Sequence, residues 1–261
     1  MAGVALGVAI ANTIGCVVFS WLLLAGHLRV KLTVRGLDLR REMFYDILTV
    51  GAFALLGPLQ SITTILVLTA LMSRLGTQVL AGYGIGMRLE FLLIPITFAI
   101  GVACVPMVGM AVGAGNIERA RRVAWIGAVA AASILGVFGL IVALASEYLA
   151  GFFTQDAVVL FAAQSFFVWA APCYAMFGLA HCLYFASQGA GKMLGPVLAG
   201  TARLSVVVLG RGWLLSIQAP AWCFFALLSA SMIAYGIAAG VAMRISSWQP
   251  FVRPIFARNI S

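Results

Sequence analysis

Seven apolar runs, separated by short polar joints, account for most of this chain. They occupy residues 2–25, 47–73, 79–113, 123–146, 158–187, 194–209 and 219–243. A helix rises about 1.5 Å per residue and the hydrocarbon core of a bilayer is about 30 Å thick, so about 20 apolar residues cross it. The pattern predicts an all-α integral membrane protein with about seven transmembrane helices. The run at 194–209 is the weakest, because Arg203 sits inside it, and Arg211-Gly212 is expected to end it. The two-residue alternation that a membrane β-barrel needs is missing.

The central stretch, residues 79–122, sets the organisation. Glu90 stands near its head, and no further charge follows until Glu118. The uncharged run 91–117 would reach about 40 Å as a helix, more than the bilayer core. It contains Pro95, Pro106, Thr97 and several glycines, which membrane helices tolerate when neighbours satisfy the freed backbone groups. It closes in GAGNIERARR, a turn followed by a basic cluster. In the preceding run, Gly57-Pro58 is expected to kink the helix. The run 123–146 is rich in Ala and Gly, which suits close helix packing. Both GAG turns, at 113–115 and 189–191, offer glycines for the positive-φ residue that closes a helix.

Residues 27–46 differ from the rest. Leu28, Val30, Leu32, Val34, Leu37 and Leu39 are mixed with Arg29, Lys31, Arg35, Arg40 and Arg41. Such a segment is expected to lie on the membrane surface. The expected organisation is therefore a helix at 1–25, a cytoplasmic amphipathic connector at 26–46, a six-helix lobe at 47–245 and a cytoplasmic tail at 246–261. Alternate joints carry Arg29–Arg41, Arg119–Arg122, Lys192 and the tail arginines. The opposite set carries Arg74, Glu147 with Asp156, and Arg211. Positive charge favours the cytoplasmic side, so the N-terminus is expected outside and the C-terminus in the cytoplasm, in the cell inner (plasma) membrane.

Composition agrees with this reading. Of 261 residues, 64% are hydrophobic and only 9% charged, with a mean hydropathy of +1.11. A soluble domain carries roughly 25% charge. The net charge of +9 sits at the ends of apolar runs, not along one basic face, so it sets topology and meets anionic headgroups. Nucleic acid is not an expected partner. Five scattered cysteines have no metal-ligand spacing and are expected to act as small buried hydrophobes. GxSxG, HExxH and paired-carboxylate arrangements are all missing, so an enzyme is not expected. The first Lys or Arg is Arg29, so the start lacks the positive region of a secretory signal.

The order of motifs carries a resemblance. LGTQVLAGYGIGMRLEFLLIP (75–95), VGMAVGAGNIERARR (108–122) and LYFASQGAGKMLGPVLAG (183–200) resemble three joints of multidrug and toxic compound extrusion (MATE) transporters. In that family, twelve helices form two pseudo-symmetric six-helix lobes around a cavity. The resemblance covers about 44–245 as the second lobe, with 1–25 fitting the sixth helix. It implies efflux of cationic or amphipathic drugs in exchange for H⁺ or Na⁺, with no other cofactor. It also implies a first lobe, or a partner half, outside this chain, which is expected to be a truncated or partial transporter. One departure is plain. Some members place carboxylates mid-helix in helices seven and ten, but here the first reads LQSITTI (59–65) and 158–187 has no Asp or Glu.

The candidate residues each have a plainer reading. An acid within a span is a functional hypothesis by default, so Glu90 is the expected coupling or substrate carboxylate. The alternative is a local ion pair with Arg88 or Arg74. Arg203 could serve function or snorkel to an interface. His181 could relay protons or simply pack. Gln60, Ser61 and Thr64 could line a cavity or bond neighbouring helices. Tyr174 and Tyr184, with Tyr83 and Trp169, could stack on an aromatic cation or anchor the bundle. Two other functions stay open: a lipid-linked precursor flippase, favoured by a wide basic cavity, and a non-transporting membrane scaffold or remnant.

Overall fold

The computed structural model describes residues 2–25 and 41–248; residues 26–40, most of the expected connector, lie outside the described set, as does the tail beyond 248. Every regular element among the described residues is helical: α1 (Ala2–Leu24), α2 (Arg41–Arg74), α3 (Thr77–Phe91), α4 (Leu93–Gly113), α5 (Ile117–Leu144), α6 (Ser146–Gly151), α7 (Ala157–Ala170), a 3₁₀ turn (Ala171–Cys173), α8 (Tyr174–Gly189), α9 (Leu194–Ser216) and α10 (Ala221–Ile245). Seven segments among the described residues are long and apolar enough to cross a membrane. Contacts divide the chain between Asp46 and Ile47. The first unit contains α1, a 23-residue apolar helix. The second holds the bundle.

In the bundle, α8 is the hub and packs against α4, α5, α9 and α10, while α3 packs on α7. The α5 face toward α8 explains how close this packing becomes. Ala120, Ala124, Gly127, Ala128, Ala131, Leu135 and Gly139 form a buried stripe of mostly small residues at helical spacing. Small side chains let backbones approach, which is what drives helix association in lipid. At Gly139 the approach is extreme, since an added Cβ would collide with the carbonyl oxygen of Ala171. Between α7, α8 and α10 the core is aromatic, with Phe166, Phe167, Tyr174, Phe224 and Phe225 fully buried. Phe166 meets Phe167 and Phe225 edge to face at 6.0 and 6.1 Å.

Several element boundaries differ from the expected ones, and proline accounts for two. The third apolar run is two helices, with Leu92 between them. Pro95 has no N–H for the Phe91 carbonyl, so the helical ladder is interrupted there. Pro172 likewise drops the fifth run into the 3₁₀ turn between α7 and α8. At Pro58, in contrast, α2 continues unbroken. Proline frees the carbonyl four residues earlier, that of Ala54, and the Tyr184 hydroxyl donates to it at 2.8 Å. Gly57 makes room, since a Cβ there would lie 2.7 Å from the Tyr184 ring. A neighbour thus completes the helix that proline left open.

Other boundaries shift for local reasons. Residues 41–46, the last of the expected connector, form the first turns of α2. Arg211 and Gly212 lie within α9, which runs on to Ser216. The 147–156 joint contains the short helix α6, and Asp156 then caps α7 through its Oδ1, accepting from the N–H groups of Val158 and Val159 at 2.9 and 3.2 Å. Arg119, Arg121 and Arg122 lie inside α5, whose N-cap Asn116 accepts from Arg119 N–H at 2.9 Å. The two GAG turns are built alike. Gly115 (φ 75°) and Gly191 (φ 68°) take the left-handed conformation. In each, the next residue donates back into the last helical turn, Asn116 to Ala111 and Lys192 to Ser187. This is the double-bonded glycine C-cap, and it turns the chain sharply into the next helix.

Candidate functional site

Long side chains tie α2 to α8 and α9 and hold it away from them. Tyr184 reaches Ala54, while Gln60 donates to Thr201 Oγ1 at 2.8 Å and to the Val197 carbonyl at 3.3 Å. The separation leaves a cavity of about 730 Å³, bounded by α2, α3, α4, α8, α9 and α10. Small-molecule sites typically occupy about 300–1,000 Å³. The lining is mostly apolar and aromatic, with few polar groups.

One wall is a helical face. Phe177, His181, Tyr184 and Phe185 follow one another at i, i+4, i+7 and i+8 on α8, a spacing that puts them side by side. His181 stacks on Phe177 at 5.3 Å and on Tyr184 at 6.1 Å, and meets Phe185 edge to face at 5.3 Å. Phe98 of α4 joins them, 4.8 Å from Phe185. Aromatic faces of this kind hold both apolar and cationic groups.

Two charges enter the cavity from other elements. Glu90 lies one residue before the end of α3, next to the Pro95 break, and is 8% exposed. Arg203 of α9 is 7% exposed, with its guanidinium carbon 5.5 Å from the Phe177 ring centre and 5.7 Å from that of Tyr235. The sole salt bridge among the described residues joins Glu118 and Arg122 on the surface, so Glu90 and Arg203 are not within ion-pair distance of each other. Glu90 Oε2 and Arg203 Nε are both buried without a hydrogen-bond partner. Burying an ion costs several kcal/mol even after relaxation. A ligand-sized cavity holding two such groups is therefore a strong candidate for a binding site.

The remaining candidates separate clearly. Ser61 lines the cavity. Gln60 and Thr64 line a narrow crevice beside it, and Thr64 donates to the Gln60 carbonyl at 2.8 Å. His181 and Tyr184 form part of the aromatic wall. Tyr174 is fully buried in the helix core, away from the cavity. Arg88 is exposed and also lies away from it, and neither Arg88 nor Arg74 is within ion-pair distance of Glu90. Tyr83 packs in the core against Phe166 at 5.8 Å, and Trp169 stacks on Trp222 at 5.7 Å. Sequence reasoning did not single out Phe98, Phe177, Phe185 or Tyr235. The α8 spacing was the available signal for two of them.

The cysteines are all free among the described residues, and no cluster of three or more potential metal ligands occurs there. At one end of the bundle the basic joints converge. Arg121 Nη2 donates to the Ser246 carbonyl at 2.6 Å, Lys192 shares a crevice with Ser246, and Arg244 lies 5.9 Å from the Trp125 ring.

Comparisons with known proteins agree with this architecture. No curated protein sequence matches the chain. Among solved structures, the Vibrio cholerae MATE transporter VcmN in its bent form is 21% identical with a TM-score of 0.71, and the match covers 92% of this chain and 53% of that one. The MATE transporter ClbM in complex with Rb⁺ is 22% identical, TM-score 0.71, covering 80% and 48%. A MOP superfamily transporter from Pyrococcus furiosus is 16% identical, TM-score 0.69, covering 80% and 47%. The chain thus shares their fold and spans about half their length. The MatE family model matches residues 59–214, which takes in Glu90, Arg203 and the aromatic face of α8. On that match the chain belongs to the MatE family, whose members are membrane transporters and not enzymes.

Proposed function

We propose that this chain supplies one lobe of a secondary active efflux antiporter, which exports cationic or amphipathic drugs in exchange for H⁺ or Na⁺. The observation that carries this reading is the cavity holding a single buried carboxylate, Glu90, against an aromatic wall. The wall accepts flat apolar cations, and the carboxylate supplies their counter-charge. H⁺ or Na⁺ competes for the same carboxylate, so loading one releases the other. A second lobe rocking against this one exposes the cavity to each side in turn. In this reading the protein sits in the inner membrane with the joints that carry Arg119, Arg121, Arg122 and Lys192 toward the cytoplasm, the N-terminus outside and the C-terminus in the cytoplasm, as the excess of positive charge on alternate joints favours.

The flippase reading fits less well, since the lining holds one guanidinium beside a carboxylate instead of a broad basic surface. A scaffold has no use for an open cavity with unpartnered buried charges. The test is ethidium efflux from energised cells producing the transporter that contains this lobe. Glu90→Gln is expected to abolish efflux and leave the amount of protein in the membrane unchanged. Undiminished efflux would remove Glu90 from the mechanism.

A further inference from the structure

Two cysteines that take no part in the cavity meet inside the bundle. Cys104 of α4 and Cys182 of α8 are 78 residues apart in the chain, yet their Sγ atoms lie 4.0 Å from each other, and both side chains are buried. Neither lines the cavity. Gly127 of α5 closes the third side. A Cβ on Gly127 would lie 2.5 Å from Cys104 Sγ and 3.1 Å from Cys182 Sγ. The glycine therefore leaves open the recess on which both sulfurs converge. Ile100 and the small residues of the α5 stripe border it.

The donor set narrows what such a recess can hold. Hard ions need several oxygen ligands, whereas thiolates select soft ions. No group of three or more metal-ligating side chains occurs among the described residues, which excludes a four-coordinate zinc site. Two thiolates suffice for an ion that prefers linear, two-coordinate bonding. Two collinear metal–sulfur bonds of about 2.3 Å span about 4.6 Å, so the pair needs to open by only about 0.6 Å. A disulfide bond of about 2.05 Å would instead require the sulfurs to close by about 2 Å. The helices have little room to approach, since α8 already meets α4 at Gly189, where a Cβ would run into the Val105 backbone. Charge points the same way. Two thiolates cancel a divalent ion, and a neutral complex is what an apolar interior accepts. We propose that Cys104 and Cys182 form a two-coordinate site for a soft divalent metal ion of the mercuric class. On binding, each thiol gives its proton to water and each sulfur forms one bond to the metal. The two chlorides or waters that the ion carried leave, and no electrons are transferred. The bound ion clamps α4 to α8, the hub of the bundle. The site goes beyond the transport reading and does not rest on it.

The test uses the full chain with the other three cysteines, Cys16, Cys173 and Cys223, replaced by serine. The purified protein in detergent is titrated with mercuric chloride, and the mercury–thiolate absorption band is followed in competition with glutathione. One ion per chain is expected, and both thiols should lose their reactivity together. Cys104→Ala or Cys182→Ala should weaken binding by at least about 100-fold, because the second sulfur no longer acts at high effective concentration. Gly127→Ala keeps both thiols but fills the recess, and should weaken binding at least severalfold. Each class of variant keeps what the other removes, and circular dichroism with gel filtration confirms that each is folded. Two ions per chain, single-cysteine chains that bind as tightly as the pair, or a Gly127→Ala chain of unchanged affinity would each overturn the proposal. Neither drug binding nor efflux enters the readout, so the result leaves the antiporter reading untouched.

Discussion

Tyr184 illustrates what single residues do in this bundle. From sequence it is one more tyrosine in an apolar run, with stacking and anchoring equally open. In the structure its hydroxyl fills the gap that Pro58 leaves in α2, and its ring forms part of the cavity wall. Tyr184→Phe should destabilise the protein by about 1 kcal/mol, the cost of leaving a part-buried acceptor without its donor. Because the two residues share one carbonyl, Pro58→Ala should restore an N–H to Ala54 and cancel most of that loss. A thermal-stability double-mutant cycle checks it, and simple additivity would contradict it. Gly139→Ala forces a Cβ against backbone that has nowhere to go, and should cost about 1–3 kcal/mol or more by the same assay. Glu90 was legible as a charge too expensive to be accidental. Its relation to Arg203, 113 positions later in the chain, was not, because nothing local links α3 to α9.

At the scale of elements, the apolar runs were plain, since lipid demands about 20 uncharged residues and leaves that signature wherever it is crossed. What the runs concealed were the breaks at Leu92 and at the Ala171–Cys173 turn. Hydropathy does not report a missing N–H, and the prolines differ in outcome. Pro58 is rescued by Tyr184 while Pro95 and Pro172 interrupt their helices, so the outcome depends on a neighbour from another helix. The 158–187 run also showed its cavity face in its spacing, but aromatic rings facing lipid and rings facing a cavity look the same in sequence. Glu90 lies in the last turn of α3, two residues before the α3–α4 break at Leu92. Pro95→Ala, by restoring the ladder, is expected to preserve or raise thermal stability while cutting ethidium efflux at least severalfold. Unchanged efflux would show that the break has no part in placing the carboxylate.

For the molecule as a whole, the charge asymmetry of the joints sets a testable orientation. The bundle gathers Arg119, Arg121, Arg122, Lys192 and Arg244 at one end, while Glu147 and Asp156 lie in the joint that follows α5. In a chain without its native cysteines, Asn116→Cys should react with a membrane-impermeant maleimide only from the cytoplasmic side, and Gln155→Cys only from outside. The reverse pattern would invert the proposed topology. The MatE family match lies within the bundle, and the solved MATE transporters that share its fold are about twice this length. What this lobe contributes by itself is a cavity that holds one buried carboxylate, Glu90, against an aromatic wall; in the proposed antiport a drug cation and the coupling ion compete for that carboxylate. The most direct measurement is ethidium affinity for the purified chain as H⁺ and, separately, Na⁺ is raised. A carboxylate holds a cation only when ionised and unoccupied, so the dissociation constant should rise with at least one of the two ions and lose that dependence in Glu90→Gln. Affinity indifferent to both ions, or a dependence that survives Glu90→Gln, would contradict the account.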